Sequence, residues 1–396
     1  LFLTMATAAI IARVLGPSGK GLISLATLVP AMLALFLSAG ISVANVYFVG
    51  SGRLPIDRIA RASTAFALAA SAAGGGLVAA GALTGAFAAI LPGVPLALVL
   101  VAQIMLPFQL LVLAWGTILQ GQERIPLVNA GNLLRSVLLL AFTAAILVWP
   151  AQGHLTAVVA TVVSTAAQAA WLGTILRRDG VPLQPRWDPE ALRALLGFGL
   201  RGHVGSVLQF FNYRLDLFLV NHYLAAAAAG IYTISTRLAE ILWHLPNAVG
   251  FVIFPRAASR APEEMRRFTP RICAVTMALT LVGAGGLALL AGPAIRILFG
   301  AGFEGAYRPM LALLPGVVLL GGGKVLTNEI SGRGFPHYNS WNSGISLVVT
   351  IVLCVALIPR HGILGAALAS SAAYAVSFVV AVIFYRVTLA RPSRTR

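Results

Sequence analysis

Charged residues are scarce in this 396-residue chain, where Asp, Glu, Lys and Arg together occupy 10% of the positions. A soluble domain carries about 25% charged residues, so the composition excludes an ordinary soluble protein. The chain has only two cysteines, Cys273 and Cys354, and both lie in apolar runs, which excludes a disulfide framework. The six histidines show no metal-ligand spacing, so we expect no metal site and no cofactor.

Long apolar runs fill most of the chain, and 59% of its residues are hydrophobic. About twenty apolar residues cross a bilayer as a helix, and the runs are continuous rather than alternating, which favours helices over a barrel. The sequence predicts an all-α polytopic membrane protein with about 12 transmembrane helices, the first beginning upstream of Leu1. The predicted spans are residues 1–15, 22–49, 62–91, 95–119, 127–149, 154–176, 196–222, 230–254, 272–298, 309–331, 340–358 and 363–385.

The net charge of +17 would suit a nucleic-acid partner, but the positions of the basic residues indicate membrane topology instead. About 18 of the 28 Lys and Arg residues fall in the even-numbered connectors or the C-terminal tail, and about five in the odd-numbered connectors. Lys and Arg are retained on the cytoplasmic side. We therefore predict a multi-pass protein of the cytoplasmic membrane, with both termini cytoplasmic and no nucleic-acid partner.

An internal repeat divides the chain into halves. Residues 21–27 (GLISLAT) match residues 230–236 (GIYTIST) at an offset of 230 − 21 = 209, and Gly153 falls on Gly362 at the same offset. Six spans per half give both halves the same orientation, which predicts two six-helix lobes related by a pseudo-two-fold axis along the membrane normal. The predicted divisions are an N-terminal lobe at 1–176, a cytoplasmic linker at 177–195, a C-terminal lobe at 196–388 and a basic tail at 389–396. Within the linker, Asp188 is a predicted helix N-cap followed by Pro189.

Eight charged residues are candidates for charges within the membrane, with Arg13 and Arg296 near span ends assigned to the connectors. They are Arg135, Arg201, Arg214, Asp216, Arg237, Glu240, Lys324 and Glu329. A charge at the bilayer centre costs about 2.5–3.5 kcal/mol, so each needs a partner or a wet cavity. Ion pairs that hold helices together are one explanation, and an Asp216–Arg237 bridge is geometrically feasible. Five cations against three carboxylates leave a positive surplus, which an anionic ligand such as a phosphate would balance.

Several segments resemble one known family. Residues 12–25 (ARVLGPSGKGLISL), 214–216 (RLD), 230–232 (GIY), 254–256 (FPR) and 357–367 (LIPRHGILGAA) resemble, in order and spacing, the Wzx-type polysaccharide flippases. That family belongs to the multidrug/oligosaccharidyl-lipid/polysaccharide exporter superfamily. The resemblance spans nearly the whole chain and implies a fold of two six-helix lobes.

The resemblance also implies a function. Such a protein flips undecaprenyl-pyrophosphate-linked oligosaccharide from the inner to the outer leaflet of the bacterial cytoplasmic membrane by alternating access, for surface polysaccharide biosynthesis. Its implied partners are the lipid-linked oligosaccharide and membrane lipids, together with a polysaccharide polymerase and glycosyltransferases. By this interpretation the pyrophosphate ligands are Arg214, Arg237, Lys324 and Arg13. The motif match itself fixes only Arg214 and Asp216, and the other ligands are chosen by their depth in the spans and their charge. Asp216, Glu240 and Glu329 remain for coupling to H⁺ or Na⁺, or for structural ion pairs.

Three other functions compete with this interpretation. A multidrug efflux antiporter of the same superfamily would need acidic residues in the N-terminal lobe, and spans 1–6 contain no Asp or Glu. A lipid II flippase is expected to have fourteen transmembrane spans, whereas twelve are predicted for this chain. A membrane enzyme that polymerises or ligates glycans would need a sizeable outer loop with polar catalytic residues, which the sequence lacks. We therefore expect a transporter that is not an enzyme.

Overall fold

The computed structural model describes residues 2–144, 153–259 and 262–389, and throughout these ranges the regular structure is helical. Short 3₁₀ turns occur at Ile241–Trp243 and Ala301–Ala306. The α-helices are α1 (Phe2–Leu37), α2 (Ile41–Ser51), α3 (Ile56–Leu83), α4 (Ala86–Ile90), α5 (Leu96–Gln103), α6 (Met105–Gly121), α7 (Ile125–Ala144), α8 (Gly153–Arg178), α9 (Pro189–Leu224), α10 (Ala226–Glu240), α11 (His244–Ser259), α12 (Pro262–Phe299), α13 (Tyr307–Gly332) and α14 (His337–Leu389).

These helices account for the twelve predicted passes. The backbone leaves helical geometry at Gly16 within α1 and at Gly362 within α14, so each of these long helices is two passes joined by a tight corner. In the same way, α5 and α6 together form one pass, and α10 and α11 form another through the intervening 3₁₀ turn. The prediction of an all-α protein with about 12 transmembrane helices is confirmed.

Eight helical segments of the described ranges are long and apolar enough to cross a membrane. The helices α9, α10 and α11 do not belong to this set. Helix α9 is 36 residues long but carries Arg214 and Asp216, while α10 carries Arg237 and Glu240. Helices α9 and α10 therefore hold five of the eight charges predicted inside the spans, whereas Arg135 lies on α7 and both Lys324 and Glu329 lie on α13.

The chain divides into two compact units, Leu1–His203 and Val204–Arg396, and the division falls within α9. Residues 177–195, predicted as a linker, pack into the first unit, where Val181, Leu183 and Leu192 join its buried core. Asp188 caps α9 as predicted, because its Oδ1 accepts a hydrogen bond from the Ala191 amide at 3.0 Å. The connector is thus held against the first unit by buried apolar side chains, which its mixed polar and apolar composition did not indicate.

The first unit holds a buried network of neutral polar groups. Ser63 donates to the Asn45 side-chain oxygen at 3.0 Å, and the Asn45 amide donates to the Ala114 carbonyl at 3.2 Å. Beside them, the Trp115 indole donates to the Thr64 hydroxyl at 2.9 Å. These bonds tie α2, α3 and α6 together without any charged side chain.

Backbone corners repeat between the two units. Gly16 has φ 65° and ψ −172°, and Ala225, which is 225 − 16 = 209 residues later, has φ 74° and ψ 172°. Two further left-handed corners recur at offsets of 300 − 93 = 207 and 334 − 123 = 211. Those pairs are Gly93 with Gly300 and Glu123 with Gly334. The backbone therefore carries the repeat that the sequence match indicated.

Helix α12 exposes a long apolar surface. Leu289 is 81% exposed and Val282 is 73% exposed, and further exposed apolar side chains extend from Val275 to Leu298. A soluble protein rarely leaves so much contiguous apolar area open to water. This face of α12 is suited to contact with lipid.

Candidate functional site

The charged residues of the second unit meet around Arg214 on α9. Its guanidinium bonds both oxygens of Glu240 at the end of α10, with Nη1–Oε1 at 2.6 Å and Nη2–Oε2 at 3.3 Å. The two side chains remain 35% and 21% exposed. A two-pronged pair of this kind fixes the orientation of the guanidinium plane. Because the partner lies 26 residues along the chain, helical spacing alone did not reveal it.

Arg237 lies one turn before Glu240 on α10. It is exposed, and its charge interacts with those of both Arg214 and Glu240. The bridge to Asp216 that the sequence suggested does not form. Asp216 instead accepts hydrogen bonds from the Tyr232 hydroxyl at 2.6 Å and the Ser370 hydroxyl at 3.1 Å. This happens because Asp216 points into the helix packing, where it is 2% exposed, while Arg237 points out of it.

Lys324, in the middle of α13, is held by neutral groups. Its Nζ donates to the Asn247 side-chain oxygen at 2.8 Å and lies 4.4 Å from the centre of the Trp243 ring. The Tyr213 ring is also close, at 5.7 Å from Nζ. Glu240 adds attraction at longer range. An amide oxygen and aromatic faces stabilise an ammonium group without neutralising it.

Aromatic rings form a wall beside these cations. The Tyr213 and Trp243 ring centres are 4.6 Å apart, and Tyr374 stands edge-on to them at 6.0 and 6.2 Å. Rings of this size displace water from the adjacent space. Electrostatic interactions become stronger where water is displaced, because the local dielectric constant is lower.

We call Arg214, Arg237 and Lys324, together with Glu240, the cationic cluster. It brings three of the four predicted phosphate ligands into one region of the second unit, with three positive charges around one carboxylate. Arg13, the fourth, is exposed on α1 in the first unit, just before the corner at Gly16. The cluster is therefore built from second-unit residues alone.

The other predicted intramembrane charges have separate positions. Glu329 is fully buried on α13 and pairs with Arg333 one turn later, at 3.9 Å. Arg135 donates to the Thr165 hydroxyl at 3.2 Å in the first unit. The side chain of Arg201 lies outside the described residues.

Two buried cations were not anticipated. Arg333 is 2% exposed and Lys20 is 5% exposed, although both were assigned to connectors on the membrane surface. Lys20 lies within α1 because the chain turns sharply at Gly16 and resumes its helix at once, so no exposed connector exists there. The motif Gly16-Pro17 was the signal of an abrupt corner, since the glycine supplies the positive φ and the proline starts the next helix. Among the described residues, no group of three His, Cys, Asp or Glu side chains could hold a metal ion.

The sequence profile of the polysaccharide biosynthesis protein family matches residues 10–308, about three quarters of the chain. The chain belongs to this family. Curated relatives that this chain resembles include two proteins of Haloferax volcanii. One, named a probable low-salt glycan biosynthesis flippase, is 22% identical over 192 residues, which cover 48% of this chain and 41% of the relative. The other, named a probable flippase, is 26% identical over 176 residues, or 42% of this chain and 37% of the relative. The matched region thus spans less than half the length of either relative.

Solved structures share the fold of this family member. An inward-facing multidrug resistance transporter of the MATE family and MOP superfamily has a TM-score of 0.82 at 15% identity, covering 98% of this chain and 94% of that one. The lipid II flippase MurJ gives 0.77 at 14% identity, with coverages of 97% and 85%. A MOP-superfamily transporter of Pyrococcus furiosus, noted for the reverse polarity of its binding pocket, gives 0.67 at 15% identity, with coverages of 98% and 92%. The fold is that of MOP-superfamily transporters, and the chain is a multi-pass membrane protein of the polysaccharide biosynthesis protein family.

Proposed function

We propose that this protein flips a lipid-linked oligosaccharide across the membrane and that the cationic cluster binds the diphosphate of the lipid carrier. The observation that supports this most directly is the charge balance of the cluster, three cations to one carboxylate. An unbalanced charge inside a membrane is costly, so the positive surplus of the cluster, which Asp216 reduces by attracting Arg214 at longer range, favours a ligand with one or two negative charges. A sugar diphosphate supplies them.

The geometry of the cluster suits a diphosphate. Glu240 holds the Arg214 guanidinium in a fixed plane through one edge, and a planar guanidinium can bind two phosphate oxygens at once. Arg237 is exposed one turn away, and Lys324 presents a compact ammonium group against the aromatic wall. Two forked donors and one point charge match a chain of two phosphates.

The carrier we propose is undecaprenyl diphosphate in the bacterial cytoplasmic membrane, and the direction is from the inner to the outer leaflet. The basic connectors support this orientation, with both termini cytoplasmic. Glycosyltransferases that build the oligosaccharide and a polymerase that extends it are the partners this function requires.

Among the acidic side chains, Asp216 is the best candidate for coupling transport to H⁺ or Na⁺. Glu240 is paired with Arg214 and Glu329 with Arg333, so both already balance a cation. Asp216 is buried and accepts hydrogen bonds from the neutral Tyr232 and Ser370 hydroxyls, while Arg214 attracts it only at longer range. We expect Asp216→Asn to fold normally and to lose the dependence of transport on an ion gradient. Gradient-dependent transport by Asp216→Asn at the wild-type rate would exclude this role.

The test of the main proposal uses a bacterial strain that lacks its surface-polysaccharide flippase. Wild-type protein should restore the polymer. Arg214→Gln and Lys324→Gln should each lower polymer production at least about tenfold, since a hydrogen bond to a charged group is worth about 1.5–3 kcal/mol. Lipid-linked repeat units should accumulate on the inner leaflet. Arg135→Gln in the first unit is the matched control and should support normal polymer.

The competing function is efflux of organic cations, which the shared MATE fold makes relevant. The surplus of positive charge in the cluster disfavours a cationic substrate. We expect expression of the protein to leave the sensitivity of cells to cationic drugs unchanged. Drug resistance that persists in Lys324→Gln cells, without restored polymer, would favour the antiporter instead.

A further inference from the structure

A groove of about 720 Å³ lies in the second unit between α12 and α14, with α13 at its base. Its apolar wall includes Cys273, Met277, Leu326, Phe378 and Val382. Methionine and phenylalanine at the wall suit an adaptable apolar occupant, since the unbranched thioether fills irregular space.

The groove is separate from the cationic cluster. Leu326 lines the groove and Lys324 belongs to the cluster, and the two are two residues apart on α13. At 3.6 residues per turn, two residues correspond to about 200° around the helix. The groove and the cluster therefore lie on opposite faces of α13. A ligand of the groove is thus independent of the function proposed for the cluster.

One end of the groove is basic. Arg266, in the second turn of α12, and Arg386, in the last turn of α14, both line it and are both exposed. Arg267 and Arg271 follow on α12, and Glu263 and Glu264 precede them, so four arginines face two carboxylates at this end. The charge asymmetry of the connectors predicts that this end is cytoplasmic.

We propose that the groove binds an anionic phospholipid of the cytoplasmic leaflet, with its phosphate between Arg266 and Arg386 and an acyl chain along the apolar wall. Charge and polarity both fit this occupant, because the basic groups lie at one end of the groove and apolar side chains line the remainder. Basic pockets between membrane helices on the cytoplasmic side are suited to anionic headgroups. A lipid in this position would connect α12 to α14.

The experiment compares binding of phosphatidylglycerol and phosphatidylcholine to the purified protein by native mass spectrometry. The wild type should retain phosphatidylglycerol preferentially. Each arginine near an anionic headgroup is worth about fivefold in binding, so Arg266→Ala/Arg386→Ala should weaken phosphatidylglycerol binding about 25-fold. Arg186→Ala/Arg193→Ala is the control, because it removes the same charge from exposed residues on the same predicted side of the membrane.

Ala274→Trp tests the apolar wall, because a large ring at this exposed lining residue fills the groove without altering charge. It should lower phosphatidylglycerol binding as strongly as the double arginine variant. If Ala274→Trp does not fold, maleimide labelling of Ala274→Cys replaces it, because residue 274 is exposed at the groove whereas Cys273 and Cys354 are buried. Phosphatidylglycerol should protect the introduced thiol, and phosphatidylcholine should not.

Three results would overturn the proposal. The first is equal retention of the two lipids by the wild type. The second is unchanged preference in both the Arg266→Ala/Arg386→Ala and the Ala274→Trp variants. The third is displacement of phosphatidylglycerol by an equimolar polyprenyl diphosphate, which would assign the groove to the carrier lipid.

Discussion

The two units share their backbone corners and differ in the chemistry of their buried polar groups. In the first unit, Asn45, Ser63 and Trp115 take part in hydrogen bonds between neutral groups. In the second, Glu240 and Glu329 each pair with an arginine. A neutral network is complete when its donors and acceptors are matched, whereas the cationic cluster keeps a surplus of charge. The difference indicates that the repeat preserves the helical framework, whereas most of the charges predicted inside the spans are concentrated in one half.

The largest effect on stability is expected at Glu329, the fully buried carboxylate of the second unit. Glu329→Leu removes the buried counter-charge of Arg333 and should lower the free energy of unfolding by about 3 kcal/mol or more. Denaturant unfolding in detergent micelles, followed by tryptophan fluorescence, measures this loss.

The matched control is the double variant Glu329→Leu/Arg333→Met, which removes both charges and keeps apolar volume. Replacing a buried ion pair by apolar side chains is often nearly neutral, so we expect a change below about 1 kcal/mol. Equal losses in the single and double variants would mean that the carboxylate and the guanidinium do not interact.

The neutral network of the first unit should respond less strongly. Asn45→Leu deprives the Ser63 hydroxyl of its acceptor at a site that is 0% exposed, and we expect a loss of about 2 kcal/mol in the free energy of unfolding. The same unfolding assay applies. Ser136→Ala, an exposed hydroxyl on α7, is the control and should change stability by less than about 0.5 kcal/mol. A loss at Asn45 larger than at Glu329 would reverse the comparison.

Substitutions at the corners formed by Gly16 and Ala225 should change the stability of the protein in opposite directions. With φ 74° and ψ 172°, Ala225 occupies a region that suits glycine alone, whereas Gly16 meets the same requirement without strain. We expect Ala225→Gly to stabilise the protein by about 1 kcal/mol and Gly16→Ala to destabilise it by a similar amount. A Cβ at Gly16 would meet no atom within 4 Å, so backbone strain alone is tested. Thermal unfolding of both variants in one detergent measures the pair, and shifts of the same sign would contradict it.

The smallest effect is expected at the exposed ion pair of Arg58 with Asp188, whose Nε–Oδ2 distance is 2.7 Å. The hydrogen bond from Arg58, with that from the Ala191 amide, lowers the pKa of Asp188 from 3.8 to about 2. Because the folded-state pKa is depressed, this contribution to stability is fully present above a pH of about 4 and is lost as the pH falls through about 2. Asp188→Asn should flatten that part of the pH–stability curve. Added salt, which screens the ion pair, should flatten the same part of the curve in the wild type. An unchanged curve would show that the Arg58–Asp188 pair does not contribute to stability.

The sequence predicted the helical class, the twelve passes and the N-cap at Asp188, because these depend on apolar length and local spacing. It also selected Arg214, Arg237 and Lys324, since an intramembrane cation is conspicuous in an apolar run. Pairing within the second unit was harder to predict. The partner of Arg214 is Glu240, which spacing along one helix did not indicate, and the partners of Asp216 are hydroxyls rather than Arg237.

These misses have a common physical cause. Sequence spacing gives the face of a residue within its own helix, but the rotation of one helix against the next depends on packing of many side chains. Burial of Lys20 was missed for another reason: a connector was expected where the chain turns within a single residue, at Gly16. A corner of this kind leaves no exposed loop for the basic side chain.

The apolar face of α12 sets a length scale for the surrounding membrane. From Val275 to Leu298 the exposed side chains cover 23 residue steps, or roughly 35 Å along the helix axis. A typical hydrocarbon layer is about 30 Å thick, so a tilt of α12 would match the length of its apolar face to the thickness of that layer. In markedly thinner bilayers part of this face would meet water, and the protein should then partition into thicker regions of the membrane.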